Sequence, residues 1–124
     1  MNELLLHFIE TPIFTKRLDK LASMSILFDL QNELIKNPKL GNVIRGTNGA
    51  RKARIGDKSK NRGKSGAFRY VYVYFEGFGT IYLMFIFAKN EQDNLTDSQK
   101  NELAQSIGKI KKELGEKKDG KETF

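Results

Sequence analysis

Apolar residues recur along the chain with two periods, and each change of period marks a new element. The run Leu4-Leu-Leu-His-Phe-Ile9 reads as a short strand. Thr11-Pro12 then signals a helix start, because the hydroxyl caps and a proline at the first helical position gives up an N–H that has no partner there. Ile13, Phe14, Leu18 and Leu21 follow on one helical face. From about Met24, the residues Ile26, Leu27, Leu30, Leu34 and Ile35 repeat at three and four positions and predict a second helix. It stops at Asn37-Pro38, since the residue before a proline disfavours the α region. A helical hairpin of this kind has to bury its stripe, and a sheet is the only large partner on offer.

The period then falls to two. Val43-Ile-Arg45 and Ala50-Arg-Lys-Ala-Arg-Ile55 flank Gly46-Thr-Asn-Gly49, whose Asn-Gly pair suits the positive φ of a tight turn, so a β-hairpin is expected. Asp57 to Gly66 holds no apolar residue and is predicted to be a mobile basic loop. Phe68 to Phe75 and Thr80 to Ala88 are nearly continuous apolar strands joined by Glu76-Gly-Phe-Gly79, which predicts central positions covered on both faces. Thr96-Asp-Ser-Gln99 is a capping box, and Leu103, Ile107, Ile110 and Leu114 continue one helical face behind it. The expected fold class is α+β: a single domain, residues 1–115, with an antiparallel sheet of three to five strands, two N-terminal helices packed on one face and a C-terminal helix. Residues 116–124, charged and glycine-containing, are expected to form a flexible tail.

Composition narrows the function classes. A chain of 124 residues with 39% hydrophobic content can bury one core unaided. The absence of cysteine removes disulfides, thiolate metal sites and cysteine nucleophiles, and suits the reducing cytoplasm. The N-terminal apolar run is too short for a membrane span or signal core, so no membrane partner is expected. The net charge of +7 favours anionic partners and is unevenly spread. Arg45, Arg51, Lys52, Arg54, Lys58, Lys60, Arg62, Lys64 and Arg69 face one acid, Asp57, over a single stretch. Basic side chains close to tyrosines supply phosphate neutralisation and stacking surface for unpaired bases. Arg45, Arg51, Lys58, Lys60, Arg62 and Lys64 are therefore candidate RNA contacts. Tyr70 and Tyr72, which share one strand face with Tyr74, are either stacking rings or core packing.

Strand alternation sorts the cations further. Lys52 and Arg54 share a face, while Arg51, Ala53 and Ile55 share the other. Arg69 has the parity of Val71, Val73 and Phe75, so a guanidinium stands at the rim of an apolar face. Lys89 closes the last strand. Structural roles compete at each position: Lys52 and Arg54 could blunt a sheet edge, Arg69 could cap backbone carbonyls, and Lys89 could simply terminate a strand. The chemistry that would unite them is RNA cleavage by its own 2′-hydroxyl, which needs a base, cations for the phosphorane-like transition state and an acid for the leaving oxygen. The chain has one histidine, so a two-imidazole acid–base pair is impossible, and His7, in an apolar strand, reads as an ordinary partly buried residue. Lysine and arginine remain. A lysine acts as base only if neighbours such as Arg51, Arg54 and Arg69 bring its pKa from about 10.4 towards neutrality, roughly 4 kcal/mol of differential interaction. No metal or cofactor is expected: Glu91, Asp93 and Asp97 do not repeat a ligand spacing, and Gly46 to Gly49 lacks the Lys-Ser/Thr ending of a phosphate loop.

Three segments together resemble a known family: Asn37 to Arg54, Arg69-Tyr-Val-Tyr72, and Phe87-Ala-Lys-Asn-Glu91 with Leu95-Thr96. In this order and spacing they are similar to the RelE/HigB toxins of bacterial toxin–antitoxin pairs, and most similar to the HigB branch with its Lys-Asn-Glu and Leu-Thr elements. The resemblance covers about residues 1 to 115. It implies a ribosome-dependent messenger-RNA endonuclease, neutralised by a small antitoxin of helix-turn-helix, HigA-like type, with operator DNA reached only through that antitoxin. It also implies site roles for Lys52 and Arg54, for Arg69, and for Lys89, or Asn90 if the match slips by one. RelE members carry a tyrosine a few residues later, and residues 90–96 hold none. Tyr70 or Tyr72 could take that role only if a sheet face is open. The ParE branch, which binds a topoisomerase and generally lacks the basic set, and a non-catalytic RNA-binding module resting on charge alone, are the other classes considered.

Overall fold

The computed structural model describes residues 5–22, 24–57 and 67–122, with the backbone alone from 116 on. Strand β1 (His7–Glu10) leads into helices α1 (Pro12–Leu21) and α2 (Met24–Lys36). Strands β2 (Asn42–Val43), β3 (Arg51–Ile55), β4 (Phe68–Phe75) and β5 (Thr80–Ala88) follow, then helix α3 (Asp97–Glu122). The five strands form one sheet in the order β1-β5-β4-β3-β2. The fold is therefore α+β, with β4 and β5 central as their apolar runs predict.

The sheet is mixed, where the sequence predicts antiparallel pairing throughout. β2 to β5 are antiparallel neighbours, but β1 runs parallel to β5, from His7 opposite Thr80 to Glu10 opposite Leu83. A four-residue strand followed at once by a helix carries no signal for the direction of its pairing. Beyond the β1 pairing, β4 and β5 slip register between Val71 and Tyr72, so that Met84 is the extra residue. Thr11 uses that irregularity. Its N–H donates to the Leu83 carbonyl at 3.1 Å, and its hydroxyl reaches the Leu83 and Met84 carbonyls at 3.2 and 3.1 Å while accepting the Phe14 N–H. One N-cap thus starts α1 and ties it to the sheet.

Each sheet face has its own core. Phe14 and Leu18 of α1 and Ile26, Leu27, Leu30 and Leu34 of α2 pack on Ala53, Ile55, Phe68, Tyr70, Tyr72, Ile81, Leu83 and Ile86. Ile13 and Ile35, expected on these helical stripes, are 51% and 46% exposed, so the buried stripes are narrower than the sequence predicts. On the other face, Leu103 and Ile107 of α3, with Leu95, cover Ala50, Val71, Val73, Met84 and Phe87. The capping box of α3 forms reciprocally: the Gln99 N–H donates to Thr96 Oγ1 at 3.1 Å and the Thr96 N–H to Gln99 Oε1 at 2.9 Å. α3 then continues to Glu122, past the point where a flexible tail is expected. Its Lys and Glu residues favour a helix, while Gly115 and Gly120 each disfavour it by about 1 kcal/mol.

Tyr72 and Tyr70 bring a testable property to the helical side. The Tyr72 hydroxyl donates to the Pro38 carbonyl at 2.9 Å and accepts the Gly41 N–H at 2.8 Å, fixing the link from α2 to β2. Burial raises both phenols above their ordinary value, helped at Tyr70 by the Glu33 charge and opposed at Tyr72 by the Gly41 N–H and Arg51. An unfolded chain ionises its tyrosines near pH 10, while the fold holds these two protonated. Their contribution to stability is therefore complete below about pH 10 and is lost as pH rises above it. Urea midpoints at about pH 8 and about pH 11 should show this fall, and it should be smaller in Tyr70→Phe. An equal fall in the variant would mean that Tyr70 plays no part.

Candidate active site

The cations sorted by strand parity meet on the α3 side of the sheet. In the β3–β4 pairing Lys52 lies opposite Val71 and Arg54 opposite Arg69. Ala53 and Ile55, of the other parity, join the core under α1 and α2. α3 covers Val71 and Val73, and Arg69 stands one step nearer the start of β4, opposite Phe87, which is buried in the same cluster. Arg54 is exposed and Arg69 is 9% exposed. Two guanidiniums directly opposite on neighbouring strands repel, and such pairs cost stability. Burial, and next the charge of Arg54, push the Arg69 guanidinium below its ordinary value, and Asp93 opposes them. Arginine remains charged throughout the working range. Among the described residues, the hydrogen bond of Arg69 is a long 3.5 Å contact to the Phe68 carbonyl, so the guanidinium is not consumed by capping.

The loop 89–95 borders this pair. Lys89 follows β5, and its N–H donates to the Ala67 carbonyl at 3.0 Å, extending the β4–β5 ladder by one step. It therefore keeps the parity of Phe87, the residue opposite Arg69, and its side chain is exposed. Further along, Asn94 Oδ1 accepts from Lys52 Nζ at 3.1 Å. Lys52, Arg54, Arg69 and Lys89 give this end of the sheet a cationic surface, with the Asp93 carboxylate acting on Arg69 and the Asn94 amide on Lys52. Asn94 and Asp93 did not stand out in the sequence as partners of Lys52 and Arg69. The signal that could have found them is their place in the short connection that leaves the last strand.

Several predicted contacts lie elsewhere. Tyr70 and Tyr72 are both 0% exposed, packed under α1 and α2, so neither ring is available for a base or for the tyrosine role of the RelE pattern. Arg51 points to that same helical side, where it donates to the Gly41 carbonyl at 2.7 Å and the Lys39 carbonyl at 3.4 Å. It braces the α2–β2 link and does not crowd Lys52. Arg45 is exposed in the turn between β2 and β3, at the end of β3 away from Arg54. That turn is built by Asn48 and Gly49 at positive φ and is tied to α3 by Asn48 Nδ2, which donates to the Ala104 carbonyl at 2.8 Å. Lys58, Lys60, Arg62 and Lys64 lie outside the described residues. His7 is exposed at the start of β1, contrary to its expected partial burial.

With this architecture in place, the chain can be set beside known structures. No family model matches it. Solved structures do, two structures of the E. coli RelE toxin among them. The isolated E. coli RelE toxin superposes with a TM-score of 0.53 at 15% identity, covering 86% of this chain and 99% of RelE. An E. coli RelE mutant with two arginines replaced by alanine, in the free state, gives a TM-score of 0.51 at 16% identity, over 71% of this chain and 87% of the other. The fold is that of the RelE toxin. At such identities the likeness to RelE carries the path of the chain, and the chemistry of the site has to rest on the side chains that this chain places on it.

Proposed function

We propose that this chain is the toxin of a bacterial toxin–antitoxin pair, of the HigB-like branch, and that it inhibits translation as a ribosome-dependent messenger-RNA endonuclease. The observation that carries this reading is the Arg54–Arg69 pair, opposed across β3 and β4 with Lys52 on the same face, on a RelE fold. A purely structural sequence gains nothing from two facing guanidiniums; a phosphate placed between them turns the repulsion into a clamp. In the reaction the 2′-oxygen attacks the adjacent phosphorus, its proton passes to a base, and the bond to the 5′-oxygen breaks as that oxygen takes up a proton. The products are a 2′,3′-cyclic phosphate and a 5′-hydroxyl. Arg54 and Arg69 stabilise the charge that builds on the non-bridging oxygens, and Lys52 and Lys89 are the groups able to carry protons.

The partners follow from the same surface. Ribosome and message bring phosphates, which Arg45 and the Lys58, Lys60, Arg62 and Lys64 segment would grip. A HigA-like antitoxin of helix-turn-helix type would cover the cationic surface with an acidic segment, and operator DNA would be bound through the antitoxin alone. The setting is the bacterial cytoplasm; among the described residues no helix is long and apolar enough to cross a membrane. Induced expression in a bacterium, with transcriptome-wide mapping of message ends, tests the proposal. New 5′-hydroxyl ends inside translated frames, suppressed by co-expressed antitoxin, are expected. Growth arrest with unchanged message ends and stalled replication would instead mark a topoisomerase-binding toxin and overturn it.

A further inference from the structure

The β5 edge beyond β1 is occupied by a side chain from α1. β1 ends at Glu10 opposite Leu83, so among the described residues no strand flanks β5 from Met84 onward on that side. Thr11 takes the first free carbonyls, and Arg17 takes a later one: its Nε donates to the Ile86 carbonyl at 3.0 Å. The guanidinium then reaches round the edge, 5.1 Å from the centroid of the Phe85 ring, and its Nη2 pairs with Glu91 Oε1. The same Glu91 oxygen accepts the Ala88 N–H at 2.8 Å. Glu91 is thus held by β5 and α1 together. The Arg17 and Glu91 side chains are 25% and 34% exposed, partly shielded from solvent screening.

Glu91 lies in the middle of the loop that borders the candidate site. Two residues before it stands Lys89, and three residues after it Asn94, whose amide oxygen holds Lys52 Nζ at 3.1 Å. Between them Gln92 Nε2 donates to the Asn94 carbonyl and to Gln99 Oε1, each at 2.9 Å, linking the loop to the α3 capping box. Two sets of hydrogen bonds therefore meet in this short loop, one from α1 through Glu91 to β5 and one from Gln92 and Asn94 to α3 and the lysine of β3, and the backbone between residues 91 and 92 joins them. We propose that Arg17 and Glu91 are positioning residues for the cleavage reaction: as a clasp they fix loop 89–95 so that Asn94 aims the Lys52 ammonium and Lys89 closes the cationic cleft. This rests on the endonuclease function proposed above. A general acid or base displaced by about 1 Å loses on the order of a hundredfold in rate, so a loop held at one point has leverage on catalysis without touching substrate.

The test uses the full-length chain in three variants, Arg17→Met, Glu91→Ala and Glu91→Gln, assayed on programmed ribosomes beside Asn94→Ala and the double variant Glu91→Ala/Asn94→Ala. Arg17→Met and Glu91→Ala should lower kcat about ten- to a hundredfold with KM for the ribosome within about twofold, and Glu91→Gln, which keeps an acceptor for both donors, should recover much of the loss. If the clasp acts through Asn94, adding Asn94→Ala to Glu91→Ala costs little more than either alone, whereas independent sites would multiply. Amide exchange of residues 89–95 should rise in the clasp variants while the β4–β5 ladder stays protected, a readout that needs no activity. Unchanged loop exchange, or kcat losses that merely track the folded fraction, overturns the clasp. Failure of the wild-type chain to cut messages on ribosomes overturns the endonuclease instead, and leaves the exchange measurement to decide whether the loop is held as described.

Discussion

Arg69→Ala should lower the rate of message cleavage on ribosomes by roughly 100- to 1,000-fold and abolish growth arrest, with the chain still folded. The magnitude is that of removing one preorganised donor from a transition state that gathers negative charge, about 3 to 4 kcal/mol. Arg69 is placed for that role by its neighbours: it faces Arg54 across one ladder and the buried Phe87 across the other. The residue as a whole is 9% exposed, so its stem is packed into the sheet and the direction of the guanidinium is set before any phosphate arrives. Arg69→Lys should also be impaired, because an ammonium cannot make the planar two-pronged contact. The folding control has a distinctive sign. Arg69→Met keeps an apolar stem opposite Phe87 and removes one member of a repelling pair, so its urea midpoint should equal or exceed that of the wild type. A folded Arg69→Ala protein that still arrests growth and cuts at wild-type rate would remove Arg69 from the site.

The parts of this site that were legible in the sequence are those set by short-range rules. Strand alternation groups Lys52 with Arg54 on β3 and Arg69 with Val71 and Val73 on β4, and the register of the two strands then sets Arg54 opposite Arg69. Thr11-Pro12 and Thr96 to Gln99 start helices where they should, because a cap is satisfied within one turn. What escaped depends on distant pieces of chain. Alternation gives Tyr70 and Tyr72 a common face but does not say which face the helices take, and here the helices lie over the tyrosines. Arg51 looks like one more cation in a basic run until the Gly41 carbonyl, brought in by the α2–β2 link, claims its guanidinium. The parallel docking of β1 and the register slip at Met84 have no local signature, and both prepare the β5 edge that Arg17 fills. Arg17 and Glu91 are 74 residues apart, and as isolated charges on a helix and a loop they carry no pattern that links them.

Isolated chain should cut naked RNA at least about a thousandfold more slowly than the same message on a programmed ribosome. The site offers cations to a developing charge, but the described residues supply no imidazole near them: His7, the one histidine, lies at the start of β1 and pairs through its backbone with Gly79. Proton transfer by lysine is demanding, and the remaining barrier has to be lowered by holding the 2′-oxygen in line with the bond that breaks. Free RNA samples that geometry rarely, so its fixation by a second surface is worth several kcal/mol of otherwise unmet orientation cost. The ribosome is such a surface, and its RNA offers phosphates to the remaining basic residues. Docking should accordingly weaken steeply with salt, the logarithm of affinity falling linearly with the logarithm of salt concentration, with a slope near the number of phosphates neutralised. The comparison needs a defined RNA, purified chain, and ribosomes present or absent at two salt concentrations. Charge-reversing the basic surface should flatten the salt slope, while Arg69→Ala should leave the slope nearly unchanged and remove the cutting. Rapid site-specific cutting of free RNA, unaffected by ribosomes, would mean that Lys52, Arg54, Arg69 and Lys89 are sufficient by themselves and that substrate orientation is supplied within this chain.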